Sequence, residues 1–288
     1  MSTILDGKLI SSQIKNELKN KCELLGQKYG ITAKLAIILV GNDPASQIYV
    51  ASKQKACEYV GIQSVTVKMD ECSTQEQVIN QVKLLAADKS VNGLMVQLPL
   101  PKTINESEVL NAIPPEKDVD GLTVNSGGLC FFGLKGFTPC TPKGIIEILT
   151  RYNVDFCKKH AVVIGRSNMV GKPIAQKLLQ LNCTVTICHS KTQNLADFTK
   201  TADILVVAVG KKHLVTADMV KPGAIVVDVG INRENGVIYG DVDFNNVSKI
   251  ASMITPVPGG IGPMTVAMLL SNTYEGCLNQ NNLKDEFL

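Results

Sequence analysis

Short apolar runs alternate with segments of helical periodicity from one end of this chain to the other. The run KLAIILV at Lys34–Val40 stops at Gly41, and the Asp43 and Pro44 that follow are typical of an N-cap and the first turn of a helix. Comparable runs predict strands at 62–69, 93–96, 161–164, 183–188, 204–209 and 224–229. Helical periodicity predicts helices at 44–60, 74–88, 171–181 and 263–278. The alternation predicts an α/β protein with parallel sheets and helices on both faces.

The length and one irregular segment predict two domains. A chain of 288 residues suits two domains of about 100–200 residues each, or one large domain. The segment 111–142 is rich in Pro and Gly and has little periodicity, which favours a boundary there. We predict an N-terminal α/β domain formed by 1–139 plus 271–288, and a Rossmann-type parallel-sheet domain formed by 140–270. In this division the C-terminal helix returns to the first domain.

Composition narrows the functional classes. A hydrophobic content of 45% against 19% charged residues is enough to bury a core, and a net charge of +3 is too small to indicate nucleic-acid or membrane binding. We find no apolar run near the ~18 residues of a membrane span, and no signal-peptide stretch. The nine dispersed cysteines favour free thiols in a reducing cytoplasm, and the three histidines lack metal-ligand spacing, so no metal is expected.

A glycine turn after a strand suggests a nucleotide site. The strand 161–164 runs directly into Gly165, Arg166 and Ser167, and Gly171 precedes the next helix. Such a turn exposes backbone N–H groups and the positive end of a helix dipole to a phosphate. The motif is not G-x-G-x-x-G, and a plain structural turn is the alternative. We favour dinucleotide binding because the turn lies in a βαβ unit.

The end of the following strand favours NADP over NAD. NAD-binding domains often place an acidic residue about 20 residues past the glycine turn, where it holds the ribose hydroxyls. Here the strand 184–188 is followed by His189, Ser190 and Lys191, without a carboxylate. Arg166 and Ser190 are candidate ligands for a 2′-phosphate, together with Lys191. The alternative for Lys191 alone is a solvated surface residue.

Three polar residues stand out in the first half of the chain. Tyr49 and Lys53 lie four residues apart on one face of the predicted helix, and Gln97 ends a strand, where open α/β sheets place ligand contacts. Taken alone this is weak evidence, because an ordinary amphipathic face and a solvated loop glutamine explain the same residues.

The chain resembles the family of bifunctional methylenetetrahydrofolate dehydrogenases/methenyltetrahydrofolate cyclohydrolases. The segments that carry the resemblance span almost the full length and are long and idiosyncratic. They are GNDPASQIYVASKQKA (41–56), QLPLP (97–101), KDVDG (117–121), PCTPKG (139–144), VIGRSNMVGKP (163–173), GDVDF (240–244) and ITPVPGGIGPMT (254–265). The resemblance implies that NADP oxidises 5,10-methylenetetrahydrofolate, that water opens the methenyl product to 10-formyltetrahydrofolate, and that the protein is a homodimer.

The resemblance also implies roles for residues of the first domain, the folate-binding catalytic domain. Lys53 matches the central catalytic lysine, Tyr49 helps to position the substrate, and Gln97 bridges Lys53 and a substrate oxygen or water. Asp120 would accept hydrogen bonds from the two-donor edge of the pterin. An ordinary lysine, with a pKa of about 10.4, is a poor base at neutral pH. Two roles therefore stay open for Lys53, a neutral base or a charged donor that stabilises developing oxygen charge.

Loops near the C-terminus complete the implied site. Pro258, Gly259 and Gly262 match a compact loop that contacts folate, where the absence of side chains lets backbone approach a ligand. Ile231, after a strand of the NADP-binding domain, matches a residue beside the nicotinamide. Ordinary turn chemistry is the alternative for both loops.

Three other functions are consistent with parts of the sequence. The same fold with dehydrogenase activity alone is the nearest. Another NAD(P)-dependent Rossmann oxidoreductase, acting on an amino or hydroxy acid, is the second, because fold does not fix substrate. A non-enzymatic NADP-sensing protein is the third, although it would not need the set of Tyr49, Lys53 and Gln97.

Overall fold

The computed structural model describes residues 2–285. Its strands are β1 Thr3–Ile4, β2 Lys34–Val40, β3 Gln63–Met69, β4 Gly93–Val96, β5 His160–Ile164, β6 Thr184–Cys188, β7 Ile204–Val207, β8 Ile225–Asp228, β9 Asn232–Glu234, β10 Val237–Tyr239 and β11 Met253–Ile254. Its helices are α1 Gly7–Tyr29, α2 Pro44–Val60, α3 Gln75–Ala87, α4 Glu106–Asn111, α5 Val124–Phe132, α6 Cys140–Arg151, α7 Gly171–Gln180, α8 Leu195–Thr199, α9 Phe244–Val247 and α10 Ile261–Gln280. None of the helices within 2–285 is long and apolar enough to cross a membrane.

The chain divides into two compact units, which differ from the predicted domains in where the terminal segments fall. Unit I comprises Ser12–Cys140 and the chain from Val266 onward, and unit II comprises the chain up to Ser11 and Thr141–Thr265. The division predicted from the sequence, 1–139 with 271–288 and 140–270, stays a prediction about the functional domains.

Unit I is built on a small parallel sheet with the order β3-β2-β4. Strand β2 is apolar along its length because helices cover it, and α3 and α4 pack against its core through Val78, Val82 and Val109. The C-terminal helix belongs to this unit: Gln280 donates to the Asn92 carbonyl (2.8 Å), and Lys21 of α1 pairs with Asp285 (2.8 Å). The predicted return of the last helix to the first domain is therefore confirmed.

Unit II contains a six-stranded, all-parallel sheet with the order β1-β11-β8-β7-β5-β6. Its central strands bury a continuous aliphatic core that includes Ile164, Leu205 and Val226. Starting from β5, the chain adds β6 on one side and then returns to add β7 and β8 on the other. The order therefore reverses between β5 and β7, and open α/β sheets bind dinucleotides at the carboxyl ends of strands at such a reversal.

The predicted α/β class and the main strands are confirmed, with boundary shifts of a few residues. The strand predicted at 204–209 ends at Val207, because the N–H groups of Val209 and Gly210 turn toward the Asp241 carboxylate.

The segment 111–142 contains regular structure that its weak periodicity does not predict. Helix α5 forms there, between an N-cap at Thr123, whose side chain accepts from the Ser126 N–H, and a left-handed C-cap at Gly133. Helix α6 also begins within this segment, at Cys140. Gly127 and Gly128 lower the helix propensity of α5, so that its caps rather than its periodicity define it.

Candidate active site

Helix α2 carries Lys53 into unit I. The helix begins where the Asp43 carboxylate accepts a hydrogen bond from the Ser46 N–H (2.7 Å), with Pro44 as its first residue, and it ends at Gly61 in the left-handed conformation. Lys53 lies midway along it and is half-buried. Its Nζ donates a hydrogen bond to Gln97 Oε1 at 2.8 Å.

Gln97 follows β4 immediately and is only 8% exposed. Its backbone N–H continues the sheet by donating to the Ile38 carbonyl (2.8 Å), and its Nε2 donates to the Leu98 carbonyl (2.7 Å). These bonds fix the amide so that its oxygen faces Lys53 and one N–H stays available to a ligand. Strand order in this sheet reverses between β2 and β4, so the lysine–glutamine contact lies where an open α/β sheet binds ligands.

Asp120 lies in a turn beside β4, and its neighbour Asp118 builds that turn. Asp118 accepts hydrogen bonds from the N–H groups of Leu122 (3.2 Å) and Thr123 (2.9 Å), and from the Ser126 hydroxyl (2.6 Å). Gly121 adopts φ +71°, and a Cβ there would come within 2.6 Å of the Pro139 nitrogen. Asp118 therefore holds the turn through its hydrogen bonds, whereas the charge of Asp120 acts on Lys53.

Burial is the main cause of the pKa shifts of Lys53 and Asp120. It lowers the pKa of Lys53, although the negative charge of Asp120 acts in the opposite direction. Burial likewise raises the pKa of Asp120, against the effect of Lys53. Desolvation disfavours both charged forms, so the lysine gives up its proton more readily than a lysine in solvent.

Tyr49 lies one helical turn before Lys53 on α2 and is 40% exposed. The spacing of four residues places both side chains along one side of the helix, as the sequence predicts. Its exposure allows the phenol to meet a bound molecule.

A tight glycine turn forms at the carboxyl end of β5 in unit II. Gly165 has φ +126°, and a Cβ there would lie 2.4 Å from the Ala208 carbonyl oxygen. A Cβ on Gly171 would lie 2.2 Å from the Gly165 oxygen. Ser167 Oγ accepts from the N–H groups of Val170 (3.2 Å) and Gly171 (3.3 Å) at the start of α7. The turn thus brings bare backbone to the strand-order reversal, as a phosphate site requires.

The other predicted cofactor residues lie exposed at the same edge of the sheet. Arg166 follows Gly165, Ser190 lies two residues after the end of β6, and Ile231 lies three residues after the end of β8. The loop around Ser190 is closed by Thr192, whose Oγ1 accepts from the His189 N–H (2.9 Å). No carboxylate occupies this loop, in agreement with the sequence.

The loop predicted to contact folate belongs to unit II, whereas Lys53, Gln97 and Asp120 belong to unit I. Pro258 and Gly259 precede α10, and Gly262 lies in its first turn. Gly259 has φ +110°, and its carbonyl accepts from the Lys8 N–H (3.0 Å). Only glycine adopts this conformation without strain.

Two residues that support the Asp120 turn escaped the sequence reasoning. Cys140 is buried, its thiol donates to the Val119 carbonyl (3.4 Å), and it also hydrogen-bonds to Asp120. Asn272 of α10 is fully buried, and its Nδ2 donates to the same carbonyl (2.8 Å). Cys140 lies in the segment PCTPKG, which made it a candidate. No local pattern identifies Asn272, because it lies within a helix 153 residues beyond Val119 in the sequence.

Comparisons with known proteins agree over the whole chain. A family model described as the catalytic domain of tetrahydrofolate dehydrogenase/cyclohydrolase matches residues 5–120, and one described as its NAD(P)-binding domain matches residues 139–281. The "bifunctional protein FolD" of Agathobacter rectalis is 54% identical over 276 residues, which are 96% of this chain and 99% of that protein.

Solved structures of related enzymes are also similar to this chain, in fold as well as in sequence. The bifunctional methylenetetrahydrofolate dehydrogenase/cyclohydrolase of Campylobacter jejuni has a TM-score of 0.95 at 50% identity, with 97% of this chain and 99% of that chain covered. The Trypanosoma brucei dehydrogenase-cyclohydrolase, solved with NADP and an inhibitor, has a TM-score of 0.93 at 36% identity, with 96% and 98% covered. The chain therefore belongs to the tetrahydrofolate dehydrogenase/cyclohydrolase family and contains the NAD(P)-binding domain of that family.

Proposed function

We propose that this chain oxidises 5,10-methylenetetrahydrofolate with NADP and then hydrolyses the 5,10-methenyl product to 10-formyltetrahydrofolate. The observation that carries the proposal is the 2.8 Å hydrogen bond between Lys53 and Gln97, in the unit where the charge of Asp120 also acts on the lysine. These three groups supply a proton acceptor, an amide that fixes it, and a carboxylate suited to a pterin edge. Family membership supports both activities.

Asp120 is the proposed anchor of the pterin. The 2-amino group and the adjacent ring N–H present two donors, and one carboxylate accepts both. Asp118, Cys140 and Asn272 hold the backbone of this turn, so Asp120 is oriented before the ligand arrives. The folate contacts assigned by resemblance to Pro258, Gly259 and Gly262 remain predictions.

The dehydrogenase step requires orientation rather than proton transfer. A hydride leaves the bridging carbon, NADP supplies the acceptor when bound, and the lone pair of a folate nitrogen stabilises the cation that remains. The residues of this chain contribute by binding and aligning the two molecules.

The hydrolytic step requires proton transfer, which we assign to Lys53. Water adds to the bridging carbon and one of its protons passes to the Lys53 nitrogen. The hydroxyl then gives up its proton as the bond from that carbon to N5 breaks, N5 takes up a proton, and the formyl group stays on N10. The methenyl cation disfavours a neighbouring ammonium, and this adds to the effect of burial on the Lys53 pKa. Gln97 and Tyr49 orient the water and the substrate.

The pH dependence of hydrolysis distinguishes a base from a charged donor. Because the Lys53 pKa is lowered, its neutral form increases as pH rises, and the enzymatic rate should rise about tenfold per pH unit until the lysine is deprotonated. Lys53→Arg keeps the positive charge and has no usable base, so it should lose hydrolysis at every pH. Initial rates from pH 6 to 9, corrected for the uncatalysed reaction, provide the measurement. Strong hydrolysis by Lys53→Arg would exclude the base role.

NADP is the proposed form of the cofactor. The bare backbone of the glycine turn at Gly165, before the start of α7, suits the close approach of the pyrophosphate, and exposed Arg166 and Ser190 suit the 2′-phosphate. Ile231 is the proposed neighbour of the nicotinamide. The Trypanosoma relative, solved with NADP, supports this assignment.

A carboxylate in place of Ser190 should weaken the preference for NADP over NAD. We expect Ser190→Asp to raise the KM for NADP by about tenfold through repulsion of the 2′-phosphate, and to leave the KM for NAD unchanged. Ser190→Asn is the matched control, because it adds similar bulk without charge. Steady-state kinetics with both cofactors provide the measurement, and equal effects of both variants would remove Ser190 from the phosphate site.

We also propose a cytoplasmic homodimer. The nine cysteines, all within residues 2–285, form no disulfide bonds there, which suits a reducing compartment. The proposed dimer rests on the family resemblance, and light scattering of the purified protein tests it.

A direct assay tests the proposed function as a whole. The purified chain, given methylenetetrahydrofolate and NADP, should produce NADPH while the methenyl species forms and decays to the formyl product. NADPH with a methenyl species that decays only at the uncatalysed rate would leave dehydrogenase activity alone. Absence of NADPH would contradict the proposal.

A further inference from the structure

Two buried carboxylates lie at the carboxyl edge of the unit II sheet. Asp228 is the last residue of β8 and is 3% exposed, and Asp241 follows β10 and is 0% exposed. Within residues 2–285, backbone and amide N–H groups rather than cationic side chains hold both of them. Burial of two carboxylates without a cation is costly, so this arrangement demands an explanation.

Asp241 binds two loops at once. Its Oδ2 accepts from the N–H groups of Val209 (2.8 Å) and Gly210 (3.0 Å), directly after β7. Its Oδ1 accepts from the Lys211 N–H (2.7 Å) and from Asn232 Nδ2 (2.9 Å), after β8. One carboxylate therefore satisfies four donors and ties the 209–211 loop to the segment that begins β9.

Asp228 in turn holds the backbone that carries Asp241. Its carboxylate accepts from the N–H groups of Gly230 (2.9 Å), Asp241 (3.0 Å) and Val242 (2.9 Å). The packing tolerates no side chain at the two nearby glycines. A Cβ on Gly230 would lie 2.2 Å from the Asp241 carboxylate, and one on Gly240 would lie 1.9 Å from Asp228 Oδ2.

The 209–211 loop follows β7 and lies at the strand-order reversal of the sheet, and the 230–232 segment follows β8, the neighbour of β7. The loop 209–211 begins next to Ala208, whose carbonyl lies against the Gly165 turn, and the segment 230–232 includes Ile231. These are the backbone positions beside which an open α/β sheet places a dinucleotide. Asp228 and Asp241 thus hold loops on the ligand side of the sheet, and this distinguishes them from polar groups that only stabilise the core.

We propose that Asp241, itself held by Asp228, is a positioning residue that fixes the 209–211 and 230–232 loops to receive the nicotinamide half of the cofactor. This inference rests on the proposed function. It assigns no contact between Asp241 and the cofactor, because the carboxylate is fully occupied by the four donors. Its effect should therefore be confined to reactions that use NADP.

Because the proposed protein has two activities, cofactor-free hydrolysis serves as an internal control for the NADP-dependent reaction of the same variant. Asp241→Asn retains one acceptor oxygen and places an NH₂ group against backbone donors, so we expect the KM for NADP to rise about tenfold. The KM for the folate and the rate of methenyltetrahydrofolate hydrolysis, which needs no cofactor, should stay within about twofold of wild type. Asn232→Ala removes a single donor and should raise the KM for NADP about threefold.

Asp203→Asn is the matched control. Asp203 lies at the opposite edge of the same sheet, where it accepts from the His160 N–H (2.9 Å) and Lys221 Nζ (2.7 Å). This variant should lose some stability and keep the wild-type KM for NADP. The control separates support of the cofactor loops from general support of the sheet.

Several results would overturn the inference. An unchanged KM for NADP in Asp241→Asn is one, and a parallel loss of dehydrogenase and hydrolase activity, which would make the pair merely structural, is another. If Asp241→Asn does not fold, Asn232→Ala decides, and an unchanged KM there counts against the inference. Failure of the proposed function is distinguishable, since wild-type protein would then reduce no NADP with methylenetetrahydrofolate.

Discussion

Replacement of Lys53 by methionine is expected to slow the hydrolysis of 5,10-methenyltetrahydrofolate by about 1,000-fold, because a positioned base typically contributes 10²–10⁴-fold. Methionine keeps most of the length and apolar stem of the side chain but has no proton acceptor. The Gln97 oxygen, which receives the Lys53 hydrogen bond at 2.8 Å, loses that partner and stays beside the substrate. Decay of the methenyl absorbance with purified variant measures the effect.

The dehydrogenase activity of the same variant should fall much less, since hydride transfer needs no group that exchanges protons. Lys55→Met is the control: this lysine is exposed and two residues further along α2, so the variant should keep both activities. Loss of dehydrogenation with survival of hydrolysis in Lys53→Met would refute the proposed division of labour.

Replacement of Asp120 by asparagine is expected to raise the KM for methylenetetrahydrofolate about 100-fold. The amide offers one acceptor to a two-donor pterin edge and turns its own NH₂ toward a donor, a loss of about 3 kcal/mol. Both activities depend on the folate, so both should fall, whereas the KM for NADP should stay unchanged. Asp70→Asn, an exposed carboxylate of the same unit that accepts from the Cys72 N–H (2.9 Å), is the control.

The same variant also changes the proposed base. The charge of Asp120 opposes the decrease in the Lys53 pKa, so its removal should lower that pKa further. The hydrolysis that remains in Asp120→Asn, measured at saturating folate, should therefore reach its plateau at a lower pH than in wild type. An unchanged profile, or an unchanged KM for the folate, would show that Asp120 does not act as proposed.

Local patterns were sufficient to predict much of this fold. The uninterrupted apolar run of β2, the cap at Asp43 and the stop at Gly61 define a β-α unit without long-range information. The same patterns place Lys53 on a helix and Gln97 at a strand end. That the two residues meet was an expectation from the family resemblance, and the structure shows the contact.

Features made by long-range contacts were not accessible in this way. The two-residue strand β1 pairs with β11, and no pattern of two residues identifies such a partner. Asp241 lies in GDVDF, one of the segments that carry the family resemblance, yet its four donors come from loops that only the completed sheet brings together. Nothing in the local sequence distinguishes Asn272 from other helical asparagines, and only the folded structure shows its contact with the Val119 carbonyl.

The most direct test of the central claim is a crystal structure of the protein with a stable analogue of the methenyl folate. We predict that the pterin edge pairs with the Asp120 carboxylate. The Lys53 nitrogen should keep its hydrogen bond to Gln97 and lie about 2.6–3.2 Å from the attacking water, within hydrogen-bonding distance. A complex in which the Lys53 nitrogen points into solvent, away from the pterin, would contradict the mechanism.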